Sequence, residues 1–163
     1  MNVLLVGNSS SLLDKTHGGM IDSYDNVIRF NGGNPVKHQE SVGSKTDYWS
    51  FSTLNESEYL KWKIPNAVQM CLNMRIDYPF VDGVAIYNNS GTYRQLILDY
   101  GHPRPSTGLI TAHYVSKLWE CEVFCIGFDF FQSGTWYRGS NEHIPHDGPR
   151  EKDYMKSLGV TIL

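Results

Sequence analysis

The run NVLLV at residues 2–6 stops on Gly7 and gives way to NSSS. Leucine and β-branched side chains at consecutive positions leave no face for water, so the run reads as a strand buried in a sheet. The glycine marks an abrupt turn at its end. Further apolar runs repeat the plan. VIRF ends a second strand at Asn31, DYWSFS from Asp47 gives a third, and AVQMCL at 67–72 and GVAIYNN at 83–89 supply two more. CEVFCIGFDFF, from Cys121, again breaks on a glycine, and VTIL closes the chain.

Helical signals alternate with these strands. The spacing of Leu109, Ile110, His113, Tyr114, Lys117 and Leu118 predicts a helix capped by Ser106 or Thr107. The serines after Gly7 start a short helix carrying Leu12 and Leu13, residues 55–63 and 92–100 are helical or irregular, and EKDYMKSLG is a last short helix. Residues 32–46 and 132–150 read as loops. The alternation predicts a three-layer α/β fold in a single domain over 1–163, with no repeat, linker or low-complexity segment.

Composition bounds the partners. The chain has 163 residues and a formal charge of -3, which argues against general affinity for nucleic acid or anionic lipid. No apolar stretch approaches the roughly 20 residues that cross a bilayer, and no signal-peptide pattern opens the chain. A cytoplasmic protein without a transmembrane segment is the expectation. Cys71, Cys121 and Cys125 are odd in number and form no close cluster with histidines. Cys121 and Cys125 allow either metal ligation or apolar filling, and free thiols are expected.

Three segments carry chemistry. GNSSS, at the carboxyl end of the first strand, can face an anion with its backbone N–H groups, Ser9 among them, while Asn8 can hydrogen-bond a ribose or phosphate. It is no dinucleotide fingerprint, because Ser9 and Leu12 stand where G-x-G-x-x-G needs glycines, and no Lys-Ser/Thr pair follows. A plain β-turn is the alternative. PSTG at 105–108 opens a helix and can aim Ser106, Thr107 and free N–H groups, including that of Gly108, at a phosphate, or can serve only as a helix cap. NEHIPHDGPRE places His146 five residues before Glu151, so that an imidazole can act as general base with a carboxylate companion. His143 is a second candidate. His143, His146, Asp147 and Glu151 could be drawn around a divalent ion, yet no HExxH segment or dense carboxylate cluster is present, so a metal-independent site is expected.

In this order the three segments resemble the eukaryotic-type sialyltransferase family, glycosyltransferase family 29. VGNSSSLLDKTHGGMIDSYDNVIRFNGG with VGSKTD is similar to its large sialylmotif, RPSTGLITAHYVSKLWECEVFCIGFDFF to its small one, and HDGPRE to the His-x-x-x-x-Glu very small motif. The resemblance implies a modified Rossmann-like sheet of GT-A-like arrangement that binds CMP-sialic acid without a metal or other cofactor. It carries donor binding onto Asn8, Asn31, Ser106, Thr107 and Gly108, with Tyr137 or His143 as a phosphate contact. It carries the catalytic-base role onto His146, with Glu151 as companion. Asp22 and Arg29 match the large motif and read equally as an internal ion pair. Phe128 and Phe130 read as packing.

The chain departs from the family in lacking the large-motif cysteine that would pair with Cys121, and in being short between the two main motifs. A reduced bacterial or viral form is the expectation, its acceptor site completed by a homo-oligomer or a partner. The implied reaction is an inverting transfer of sialic acid to a glycan hydroxyl. Two other readings stay open: transfer of another CMP-activated acidic sugar such as Kdo, and a non-catalytic CMP- or glycan-binding protein.

Overall fold

In the computed structural model, which describes residues 1–52, 54–73, 79–138 and 145–163, the opening apolar run is strand β1 (Asn2–Val6), with Val3, Leu4, Leu5 and Val6 all buried. It is the hub of a seven-stranded sheet. The chain continues through a 3₁₀ turn (Ser10–Asp14), α1 (Gly18–Asp22), β2 (Asn26–Phe30), α2 (Gln39–Val42), β3 (Tyr48–Ser50), α3 (Glu56–Trp62), β4 (Val68–Cys71) and β5 (Val84–Tyr87). Then come α4 (Ser90–Tyr100), α5 (Thr107–Leu118), β6 (Glu122–Ile126), α6 (Gly148–Ser157) and β7 (Thr161–Ile162). The strand order is β5-β4-β3-β2-β1-β6-β7, and every pairing is parallel.

The period of two along the strands sorts the core into layers. Val3, Leu5, Ile28, Phe30, Met70 and Cys125 face the side packed by Leu96 of α4, Leu109 and Ala112 of α5, and Met155 of α6. Leu4, Val6, Val27 and Ile126 face the opposite side, against Leu12, Ile21 and Val42. At the β3 end, Trp49 and Phe51 pack on Tyr59 and Trp62 of α3. Each such aliphatic side chain contributes about 1.5–3 kcal/mol by leaving water, which is why short strands suffice.

The expected strands form at the expected places. The helices differ more. Residues 32–46 contain α2, and α1 precedes β2, both short and without a side-chain cap on His38 or His17. The last helix begins at Gly148 rather than at Glu151, because Asp147 accepts the Arg150 amide as N-cap and Pro149 suits the first turn. All three cysteines are free thiols. Burial pushes the Cys125 thiol up to about 12 and Cys71 up to about 11, which suits apolar filling rather than reactivity.

Arg29 and Asp22 support the chain internally. Arg29 is 1% exposed on the α2 side of the sheet. Its Nη2 donates to the Val42 carbonyl at 2.7 Å, and its Nε to the Lys45 carbonyl at 3.0 Å and to Thr46 Oγ1 at 2.9 Å. Burial lowers its pKa to about 10, against the pull of the Asp22 charge. Burial opposes ionisation of Asp22 too, but hydrogen bonds from the Lys45 and Ser44 amides and the Ser44 hydroxyl outweigh it and hold its pKa below the ordinary value. The pair thus ties the 42–46 segment to β2 and α1. Replacing Arg29 with Met strands these acceptors and the Asp22 carboxylate. Urea unfolding should show a loss of about 3 kcal/mol, with Arg29→Lys recovering only part of it because an ammonium cannot reproduce the guanidinium fork.

Candidate active site at the strand-order reversal

The sheet is built outward from β1 to β5 and then resumes on the other flank with β6, so the order reverses between β1 and β6. Crevices beyond the carboxyl ends of parallel strands open at such reversals. Here both strands end on glycine. The Gly7 amide donates to the Ile126 carbonyl at 2.8 Å, and the Ser9 amide to the Gly127 carbonyl at 3.1 Å. A β-carbon on Gly7 would run into the Gly127 carbonyl, and one on Gly127, which has φ +71°, into the Leu12 side chain. The close approach therefore requires both glycines.

A cavity of about 310 Å³ opens at this point. Its lining brings together Asn8, Ser9, Asn31, Ser106, Thr107, Gly108, Tyr137, His146 and Glu151, drawn from both ends of the sequence. His143 lies outside the described residues. Phe128 and Phe130 also line it, and Phe130 belongs to the core while Phe128 meets Phe30 edge-on at 5.8 Å.

On the β1 and β2 side, Asn8 Nδ2 donates to the Phe30 carbonyl at 3.0 Å and lies 3.5 Å from the Tyr137 hydroxyl. Ser9 is buried, and its Oγ sits 2.7 Å from Ser11 Oγ and 3.0 Å from Ser133 Oγ while accepting the Ser11 amide. Its hydroxyl thus braces the turn. Asn31 adopts a left-handed φ of 44° just past β2, with its Oδ1 accepting the Ser52 amide and its own carbonyl accepting Trp49 Nε1. Asparagine tolerates that backbone better than other non-glycine residues.

On the α5 side, Ser106 caps the helix by accepting the Leu109 amide at 3.1 Å. The same Oγ donates to Glu151 Oε2 at 2.6 Å, and the Ser106 amide donates to Glu151 Oε1 at 2.8 Å. The Thr107 hydroxyl bonds to Ser52 Oγ. Thr107 and Gly108 carry the first amides of the helix, which have no acceptor within it. Gly108 has no room for a β-carbon, which would strike the Phe128 ring.

Glu151 is 1% exposed. Burial raises its pKa to about 7, overcoming the two Ser106 hydrogen bonds that favour the charged form, and the Asp147 charge adds to the rise. It faces Ser106 rather than His146. The expected pairing of the two is replaced by a backbone contact, in which His146 Nδ1 lies 2.9 Å from the Arg104 carbonyl. A carbonyl oxygen only accepts, so Nδ1 carries the proton and Nε2 keeps its lone pair. Burial lowers the His146 pKa, the Arg104 carbonyl opposes that shift, and the His102 and Arg104 charges reinforce it. The ring is also 5.2 Å from the Phe131 ring.

Sequence reasoning did not find Arg104, whose carbonyl acts regardless of side chain, nor Ser133, from a segment read as a loop, nor Phe131, at the end of a run read as a strand. Among the described residues, no group of three or more His, Cys, Asp or Glu could hold a metal ion, and no helix is long and apolar enough to cross a membrane.

Residues 3–96 match the family model of glycosyltransferase family 29 (sialyltransferase). The chain belongs to this family. Over 48 residues it is 46% identical to type 2 lactosamine alpha-2,3-sialyltransferase of Mus musculus, covering 29% of this chain and 15% of that protein. Over 157 residues it is 27% identical to the CMP-N-acetylneuraminate-beta-galactosamide-alpha-2,3-sialyltransferase 1 of Gallus gallus, covering 82% of this chain and 45% of that one. The family 29 chain thus spans less than half the length of these curated relatives. They are vertebrate proteins and lend no support to the expected bacterial or viral form. A crystal structure of a mammalian sialyltransferase matches the fold with a TM-score of 0.71 at 21% identity, covering 99% of this chain and 68% of that one. The structure of a mammalian sialyltransferase in complex with Gal-beta-1-3GalNAc-ortho-nitrophenol gives 0.69 at 22%, with the same coverage. The expected α/β sialyltransferase fold is therefore present.

The Glu151 environment has a measurable pH signature. Its folded pKa is raised, so the fold favours the protonated form; that stabilisation is complete below about 4.5 and is lost as pH rises through about 7. Glu151→Gln removes the titration. Between pH 4.5 and 8, wild type should lose stability relative to this variant by up to about 3 kcal/mol in urea melts. A difference that does not change with pH would show that Glu151 titrates as an ordinary carboxyl.

Proposed function

We propose that this protein transfers sialic acid from CMP-sialic acid to a sugar hydroxyl, with inversion at the anomeric carbon and without a metal. The observation that carries the reading is His146, fixed by the Arg104 carbonyl with Nε2 unprotonated, at the cavity where the strand order reverses. In the proposed step, the acceptor hydroxyl gives its proton to Nε2 as its oxygen bonds to the anomeric carbon. The bond from that carbon to the phosphate oxygen breaks, and CMP departs as a phosphate monoester.

The rest of the cavity supports this assignment. The Thr107 and Gly108 amides and the positive end of the 12-residue α5 suit the phosphate whose charge grows as CMP leaves. Glu151 lies beneath this helix end, where a full negative charge would repel the phosphate. Its raised pKa reduces that charge near neutrality. Asn8 and Asn31 offer amide groups to the sugar and nucleotide, and the Tyr137 hydroxyl stands beside Asn8. The donor set lacks a metal-binding cluster among the described residues, and the helix terminus takes over the neutralising role that a cation would otherwise have.

Calorimetry with CMP, with UMP and NAD as controls and EDTA present, tests the donor site; selective CMP binding is expected. Donor consumption with CMP-sialic acid and CMP-Kdo then separates the sugars. His146→Ala should retain CMP binding and lose about 10²–10⁴ in transfer rate. Because the His146 pKa is lowered, the acid limb of the wild-type rate profile should fall below pH 6.5. Equal transfer by wild type and His146→Ala would exclude the general-base role.

A further inference from the structure

A second and larger cavity, about 900 Å³, adjoins the first. Tyr137 and Arg138 line both, so the two share one wall. The volume lies toward the upper end of small-ligand sites, roughly 300–1,000 Å³. Nothing in the proposed transfer step uses it.

Its chemistry is uneven in two respects. The first is aromatic. Trp136 and Tyr137 are half-buried on the wall with ring centroids 5.6 Å apart and planes at 89°, and Tyr137 meets Trp62 edge-on at 5.5 Å. Aromatic faces held at fixed angles bind the C–H faces of sugar rings through dispersion and apolar burial. The second is charge. On a chain with net charge -3, this lining holds Lys37, Lys61 and Arg138 against a single carboxylate, Glu58.

Arg138 is already committed. Its guanidinium pairs with Glu58 at 2.6 Å and lies over the Trp62 ring at 4.6 Å. That arrangement neutralises the one acid and fixes the arginine as part of the wall. Lys37 and Lys61 are exposed and make no ion pair among the described residues. Two uncommitted cations flank an aromatic surface whose Tyr137 also lines the His146 cavity.

We propose that this groove holds the distal part of the acceptor, and that this part is an anionic oligosaccharide. A sugar ring lies on Trp136 and Tyr137, its sulfate or carboxylate meets Lys37 and Lys61, and the hydroxyl to be modified reaches back past Tyr137 toward His146. The assignment of the groove to an acceptor rests on the transferase reading, whereas its preference for acidic sugars stands on its own lining. The observation behind it is the wall of Tyr137 and Arg138 that the two cavities share, together with the excess of cations.

The test is titration of the full chain, with and without CMP, using 6-sulfated, 3-sialylated and neutral N-acetyllactosamine. At low salt at least one acidic probe should bind about tenfold or more tighter than the neutral sugar, a preference of about 1.4 kcal/mol, and the preference should shrink as salt rises. The probe that shows it identifies the anion. Lys37→Glu with Lys61→Glu should abolish the preference and leave CMP affinity unchanged. Lys37→Gln with Lys61→Gln should reduce it in part, which separates lost attraction from added repulsion. Acidic and neutral sugars binding alike, or a preference that survives both double substitutions, would overturn the proposal. So would a loss of CMP affinity in the charge-reversed protein, which would assign the groove to the donor. Absence of CMP binding beside an intact, lysine-dependent preference would sink the transferase reading while leaving the anionic-glycan site in place.

Discussion

Two carbonyl oxygens, of Ile126 and Gly127, accept amides from the turn that follows β1, and that contact requires glycine on both strands. Everything in the candidate site is measured from this junction. It sets the distance between the Asn8 turn and the segment after β6, and that segment returns to bond the same turn through Ser133, Gly134 and Trp136. A methyl group at Gly7 would separate the two strand ends, and one at Gly127 would strike Leu12 from a left-handed backbone, before any ligand was involved. The site is therefore held by backbone geometry first and by side chains second.

Glu151 performs a similar task between helices. It belongs to α6, yet both of its oxygens are spent on Ser106 at the start of α5. A carboxyl in that position fixes the angle between the two helices, and with it the direction in which the α5 amides point. Burial raises its pKa because water is excluded from the joint. Helix position, protonation and the electrostatics of the cavity are thus properties of one side chain.

Strands were legible because consecutive apolar residues have few other destinations, as in NVLLV and VIRF. The α5 helix was legible from its spacing and its serine cap. By contrast α1 and α2 are a turn or so long, begin after histidines that make no capping bond, and bury only a few residues, so they leave no period to detect. The start of α6 was missed although Asp147 and Pro149 spell it, because the helix turns a charged residue, Glu151, into the core. Within the site, Asn8, Ser106 and His146 stood out as residue types, and Asn31 through the family resemblance. The partners that give them direction did not, since a backbone carbonyl such as that of Arg104, 42 residues from His146, has no sequence signature.

The strand order has a consequence for how the molecule is made. β1 leads the chain, and its β2 neighbour follows within a few tens of residues, but its other neighbour is not synthesised until residues 122–126. Throughout that interval the β6-side edge of β1, with its buried valines and leucines, is an open template for other strands, the exposure that makes slow parallel pairing hazardous. The crevice has only one wall until β6 docks, and His146 and α6 come later still. A nascent chain halted in its middle therefore carries the Asn8 turn with nothing to close it.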